Sequence, residues 1–253
     1  MSIRILIVGV LAASVACSPE RNMDRSTGES RVTSNARVAG SVAAGAYGDA
    51  AGGTTAAASG KVTVLFFGTS LTAGYGLDPS LAFPNLIAQK AADSGTPIVS
   101  VNAGLSGETS AGALRRIEWT LRRPVDVVVV ETGGNDALRA LDADSLEANL
   151  HAIVARIRAL RPEAKVLLAV MEAPPNLGRR YASSFRKAYA DVARAENLTL
   201  VPFLLDRVAG HPELNQADGM HPNERGERIV ADNVWRSLEP VVREVYLSVE
   251  PKR

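Results

Sequence analysis

The chain has 253 residues, 46% hydrophobic and 22% charged, a balance that fits one sizeable globular domain with additional sequence beside it. Its 28 lysines and arginines against 27 acids leave a formal charge of +1, so no basic surplus argues for nucleic acid as a partner. The single cysteine, Cys17, rules out an intrachain disulfide, and the three histidines are too scattered for a zinc site, so neither a metal nor another cofactor is expected.

In chain order, residues 1–17 have the layout of a secretory signal of the lipoprotein type. Arg4 supplies a positive charge, Ile5 to Ala16 form an apolar stretch too short for a comfortable membrane span, and small residues precede Cys17. Cys17 stands where a bacterial lipoprotein signal carries its lipid-accepting residue, which would associate the protein with a membrane. Ser14 departs from the larger aliphatic residue usual in such signals, and the alternative is a cleaved signal with an incidental cysteine. Either way the chain is expected to be exported, to the periplasm or to a membrane anchor. Residues 18–60 are rich in Ala, Gly, Ser and Thr and almost free of large apolar side chains, so they are expected to form a flexible tether.

The folded domain is expected over 61–253. Apolar runs at Val62 to Phe67, Ile98 to Val101, Val125 to Val130, Val166 to Val170 and Leu198 to Val201 are continuous instead of alternating, as parallel strands covered on both faces require. Helical spacing of apolar positions marks Leu81 to Ala92, Ser110 to Arg122, Ser145 to Leu160, Tyr181 to Glu196 and Glu224 to Leu238. This alternation predicts a three-layer α/β/α sandwich around a parallel five-stranded sheet, with ligands at the carboxyl ends of the strands.

Four loops at that edge carry chemistry-bearing residues. Ser70 follows the first strand in Gly68-Thr69-Ser70-Leu71, although Thr72 excludes the Gly-x-Ser-x-Gly elbow, and a helix-capping turn is the bland alternative. His221 follows Asp218 by three residues in a tight Gly- and Pro-containing turn. That spacing can bring a carboxylate to Nδ1 and leave Nε2 to take a serine proton, whereas a cap for the last helix is the alternative. Gly107 and Asn135 offer a backbone amide and a side-chain amide for a developing oxyanion. His151, in a predicted helix, and His211, in a loop, have no such company and are read as structural or solvated.

Gly68-Thr69-Ser70-Leu71, Gly107 in Ser-Gly-Glu-Thr-Ser, Gly133-Gly134-Asn135-Asp136 and Asp218-Gly219-Met220-His221-Pro222-Asn223 resemble, in order and spacing, the four blocks of the SGNH, or GDSL, hydrolases. The resemblance covers nearly all of 61–240. It is nearest to the bacterial periplasmic branch of multifunctional thioesterases, lysophospholipases and arylesterases, which is also similar at Asn176-Leu177-Gly178-Arg179-Arg180-Tyr181. It implies the flavodoxin-like SGNH-hydrolase fold, Ser70 as nucleophile, His221 as base, Asp218 as its orienting acid, and the Ser70 amide, Gly107 and Asn135 as oxyanion donors. The implied reaction is hydrolysis of small-molecule carboxylic esters, aryl, short-acyl or lysophospholipid, and of thioesters, through an acyl-enzyme in a monomer. A carbohydrate acetylesterase and a non-catalytic glycan- or lipid-binding surface lipoprotein are the alternatives. Thr69 replaces the aspartate usual in the first block, from which the loss of one local hydrogen bond is expected.

Overall fold

The computed structural model describes residues 61–249; the predicted signal 1–17 with Cys17, the tether 18–60 and the last four residues lie outside the described residues. Five strands, β1 (Val62–Gly68), β2 (Ile98–Gly104), β3 (Val127–Glu131), β4 (Lys165–Ala169) and β5 (Thr199–Val201), form one sheet in the order β2-β1-β3-β4-β5. Every pairing is parallel. Val127 to Val130, Val64 to Phe67 and Leu167 to Ala169 are all buried, as strands covered on both faces must be.

The connecting helices are α1 (Ser70–Ala73), α2 (Phe83–Asp93), α3 (Ser110–Thr120), α4 (Gly134–Leu138), α5 (Ala143–Leu160), α6 (Gly178–Ala195) and α7 (Glu224–Val249). Packing pairs α2 with α7, and links α3 to α5 and α5 to α6. The chain leaves β1 toward β2 and then returns across β1 to β3, so right-handed crossovers place these two groups on opposite faces of the sheet. Neighbouring residues of β1 point to each layer. Phe66 meets Phe83 of α2 edge-to-face at 5.8 Å, whereas Phe67 lies beneath the Arg116 guanidinium of α3, 4.4 Å from the ring centroid.

Several boundaries differ from the sequence expectation. Strand β2 runs on to Gly104 because its last residues keep pairing with β1 as far as Gly68; the polar Asn102 is accommodated by donating to Thr72 O and accepting from Gly104 N. Strands β3 and β4 are displaced by a residue or two: Asp126 leaves the predicted run and accepts from Thr63 N at 2.7 Å. Helix α2 starts at Phe83, after a separate single turn at Pro79–Leu81. Helix α5 begins two residues early, capped by Asp142, which accepts from Ser145 N. The final helix passes Pro240 and reaches Val249 instead of stopping at Leu238. No helix among the described residues is long and apolar enough to cross a membrane.

Candidate active site

Chain reversal at the carboxyl end of β1 depends on glycine. A Cβ at Gly68 would overlap the Thr72 hydroxyl and come within 2.6 Å of Glu131 Oε2, so only glycine lets the chain turn that tightly into α1. Ser70 opens α1, half-buried at the mouth of the crevice.

The turn that carries His221 is held from both ends. Gln216 N donates to His221 O and Gly219 N donates to Gln216 O, while Gln216 Nε2 donates to Tyr75 O and Pro222 O. Asn223 Oδ1 accepts from Arg225 N and Gly226 N and so caps α7. The helix is therefore capped by Asn223, and Asp218 is left to the imidazole. Asp218 Oδ2 lies 2.6 Å from His221 Nδ1, and its Oδ1 accepts from Met220 N at 2.9 Å and His221 N at 3.0 Å. The bond from His221, followed by those backbone amides, lowers the Asp218 carboxyl to a pKa of about 2. On the other side of the ring, His221 Nε2 lies 2.9 Å from Ser70 Oγ, and the Tyr75 ring packs 4.7 Å from the imidazole.

Gly107 follows β2 with φ +78°, and Asn135 sits in the first turn of α4, after Gly133. Gly133 itself must be glycine: its φ is +101°, and a Cβ there would collide with the Tyr189 hydroxyl. Ser70, Gly107 and Asn135 line one cavity of about 560 Å³. The Ser70 and Gly107 amides and Asn135 Nδ2 have no acceptor among the described residues, so three donors remain for a ligand. Beyond them the cavity is apolar, with Met171, Pro174, Phe203 and Leu205 on its wall and the exposed Tyr75, Leu138 and Met220 at its rim.

Three supporting groups were not assigned a role from the sequence. Glu131, at the end of β3 and 1% exposed, accepts from Thr69 N, Thr69 Oγ1 and Thr72 Oγ1 at 2.7 to 3.0 Å, clamping the residues beside Ser70. Burial outweighs these bonds and raises its carboxyl above the usual range. Thr69 therefore does not lose a bond; its hydroxyl feeds Glu131. Asp136 accepts from Ser110 N and Ser110 Oγ, which ties α4 to the start of α3. Arg139 donates to Asn135 O and Gly107 O, both at 3.1 Å, strapping together the two loops that carry separate donors. The acid that ends the apolar Val127-Val128-Val129-Val130 run was the visible signal for Glu131, and the i, i+4 spacing from Asn135 was that for Arg139. His151 pairs with Glu196 and His211 lies beside Glu213, and neither lines the cavity.

The arrangement can deprotonate a hydroxyl and stabilise a negative oxygen next to it. Residues 66–229 match the model of the GDSL-like Lipase/Acylhydrolase family. The esterase TesA of Pseudomonas aeruginosa is 41% identical over 182 residues, spanning 71% of this chain and 89% of its own. The thioesterase 1/protease 1/lysophospholipase L1 of Escherichia coli is 36% identical over 181 residues, spanning 71% of this chain and 85% of its own. Among solved structures, the psychrotrophic esterase EstA from Pseudoalteromonas sp., in a form inhibited by monoethylphosphonate, is similar with a TM-score of 0.67 at 32% identity, covering 72% of this chain and 98% of that one.

Proposed function

This chain belongs to the GDSL-like lipase/acylhydrolase family, and on that premise we propose that Ser70, His221 and Asp218 form its catalytic triad, with the Ser70 and Gly107 amides and the Asn135 side chain as oxyanion donors. The protein is a serine hydrolase of carboxylic esters. The observation that carries the residue assignment is the unbroken relay from Ser70 Oγ through His221, at 2.9 Å and 2.6 Å, to Asp218.

In this mechanism His221 Nε2 takes the Ser70 proton as Oγ attacks the ester carbonyl. The oxyanion is held by the three donors, and Asp218, ionised throughout the neutral range, stabilises the imidazolium. Collapse of the intermediate expels the alcohol with the proton returned by His221. Water, activated by the same imidazole, then releases the acid from Ser70.

The relatives are named for esterase, thioesterase, lysophospholipase and arylesterase activity, which supports aryl and short-acyl esters, lysophospholipids and thioesters as substrates. An apolar cavity of about 560 Å³ favours an acyl chain over the acetyl group of a carbohydrate ester. All the proposed groups come from one chain, so a monomer suffices. The signal-like segment 1–17 supports export, with Cys17 as a lipid anchor. Cells fed labelled fatty acid are expected to label the parent but not Cys17→Ser; equal labelling of both refutes the anchor.

Hydrolysis of p-nitrophenyl butyrate tests the site. Ser70→Ala is expected to abolish turnover, and Asn135→Ala to lower kcat on the order of a hundredfold or more. Turnover at the parent rate in either variant refutes the assignment.

A further inference from the structure

The far side of Gly107 carries a second groove. It shares Ser106 and Gly107 with the acyl cavity and continues over the start of α3, between Arg115, Arg116 and Arg139. One carboxylate, Glu108, lies among these three guanidinium groups, and it is already committed. Arg116 holds it with Nε at 2.9 Å and Nη2 at 2.6 Å, and Arg116 is itself fixed over the Phe67 ring.

The other two arginines are differently placed. Arg115 is exposed and has neither an ion pair nor a hydrogen bond among the described residues. Arg139 spends one donor each from Nη1 and Nη2 on the carbonyls of Asn135 and Gly107. A guanidinium has five N–H donors, so three are left over, and carbonyl acceptors do not neutralise its charge. The groove therefore ends the reaction site in a concentration of positive charge, on a molecule whose net charge is only +1.

We propose that this groove is a subsite for a phosphate group carried by the acyl-ester substrate, with Arg115 and Arg139 as its donors. A phosphate offers several acceptor oxygens to the planar forks of two guanidinium groups, and a neutral alcohol offers no matching charge. The inference rests on the reading of Ser70 as nucleophile, because only a substrate acylating Ser70 is held beside Gly107. Among the proposed esters it gives a preference for those whose other end bears phosphate.

The test uses the full-length enzyme and three esters with the same short acyl chain, kept below their micelle concentrations: an acylglycerol, its 3-phosphate, and the corresponding glycerophosphocholine. In the parent, KM for a phosphate-bearing ester is expected to be about three- to tenfold lower than for the neutral acylglycerol, the range for partly exposed charged contacts, and the gap should shrink with added salt. A low KM for both phosphorus compounds assigns a lipid-headgroup diester; a low KM for the 3-phosphate alone assigns a terminal phosphate. Arg115→Gln should erase most of the ratio of neutral to phosphorylated KM, and Arg115→Lys should restore part of it. Equal KM values in the parent, or an unchanged ratio in Arg115→Gln, overturn the subsite. Hydrolysis of the neutral acylglycerol by Ser70→Ala would instead overturn the nucleophile assignment, so the two failures are told apart.

Discussion

Thr69 occupies a position where a side chain must serve the buried Glu131 and hold the nucleophile's turn in place. Its hydroxyl and amide both donate to the same carboxyl. An aspartate there would set two carboxyl groups against each other in a dry site, whereas threonine supplies a proton. Thr69→Val keeps the shape but removes the hydroxyl, and is expected to cost about 1–3 kcal/mol of stability, measured by urea unfolding. Asp218 acts through charge: Asp218→Asn should preserve the fold and lower kcat by up to about 10^4-fold, because an amide neither fixes the needed tautomer nor offsets the imidazolium. Arg139 acts through geometry. Arg139→Ala frees the Asn135 and Gly107 loops from each other, so kcat for a small neutral ester should fall roughly three- to tenfold with little change in KM; Arg139→Lys, which cannot reach both carbonyls as a fork, should recover little. A matched fall in kcat and rise in KM would mark the arginine as a substrate contact for that ester.

Elements were legible where burial leaves a pattern. The five apolar runs became the five strands, and five stretches of helical spacing became the long helices, because continuous burial and one-sided burial write different periods into the sequence. Helices α1 and α4, with four and five residues, are too short for any period to show, yet they carry Ser70 and Asn135. The four blocks exposed those residues from the sequence; the roles of Glu131 and Arg139 depend on Thr69, Thr72 and Gly107, which lie 32 or more residues away and share no local pattern with them. The apolar helical spacing that marks the last helix ends at Leu238, whereas α7 runs on past Pro240 to Val249. Packing on the sheet carries it through, and Pro240→Ala is expected to raise stability by about 1–3 kcal/mol.

The junction of α7 with α2 also contains a pH-sensitive contact. Glu227, 1% exposed, accepts from Phe83 N at 2.8 Å, and burial, opposed by that bond and reinforced by Glu131, raises its carboxyl from 4.5 to about 8. Between those two values the folded protein keeps a proton that the unfolded chain releases, so this group's contribution to stability falls as pH rises through the window. The slope from this group is at most about 1.4 kcal/mol per pH unit. Glu227→Gln keeps an acceptor for Phe83 N and should flatten the loss of urea midpoint between mildly acidic and mildly alkaline pH; parallel curves for parent and variant would contradict the assignment.

Across the whole molecule, one sheet edge gathers groups that are far apart in sequence, Ser70 and His221 being separated by 151 residues. The helices of both layers hold the sheet, and the loops after β1, β2 and β3, with the turn before α7, meet at its carboxyl end. Every residue of the proposed site lies between Ser70 and His221, so a chain beginning at Lys61 should hydrolyse p-nitrophenyl butyrate with the kcat of the full-length protein. The most direct measurement of Ser70 as nucleophile is the site of covalent capture by diethyl p-nitrophenyl phosphate, read by peptide mass spectrometry alongside residual activity. A single phosphoryl adduct on Ser70 is expected, rising in step with loss of activity and forming far more slowly in His221→Ala; full inactivation with Ser70 unmodified would contradict the proposed triad.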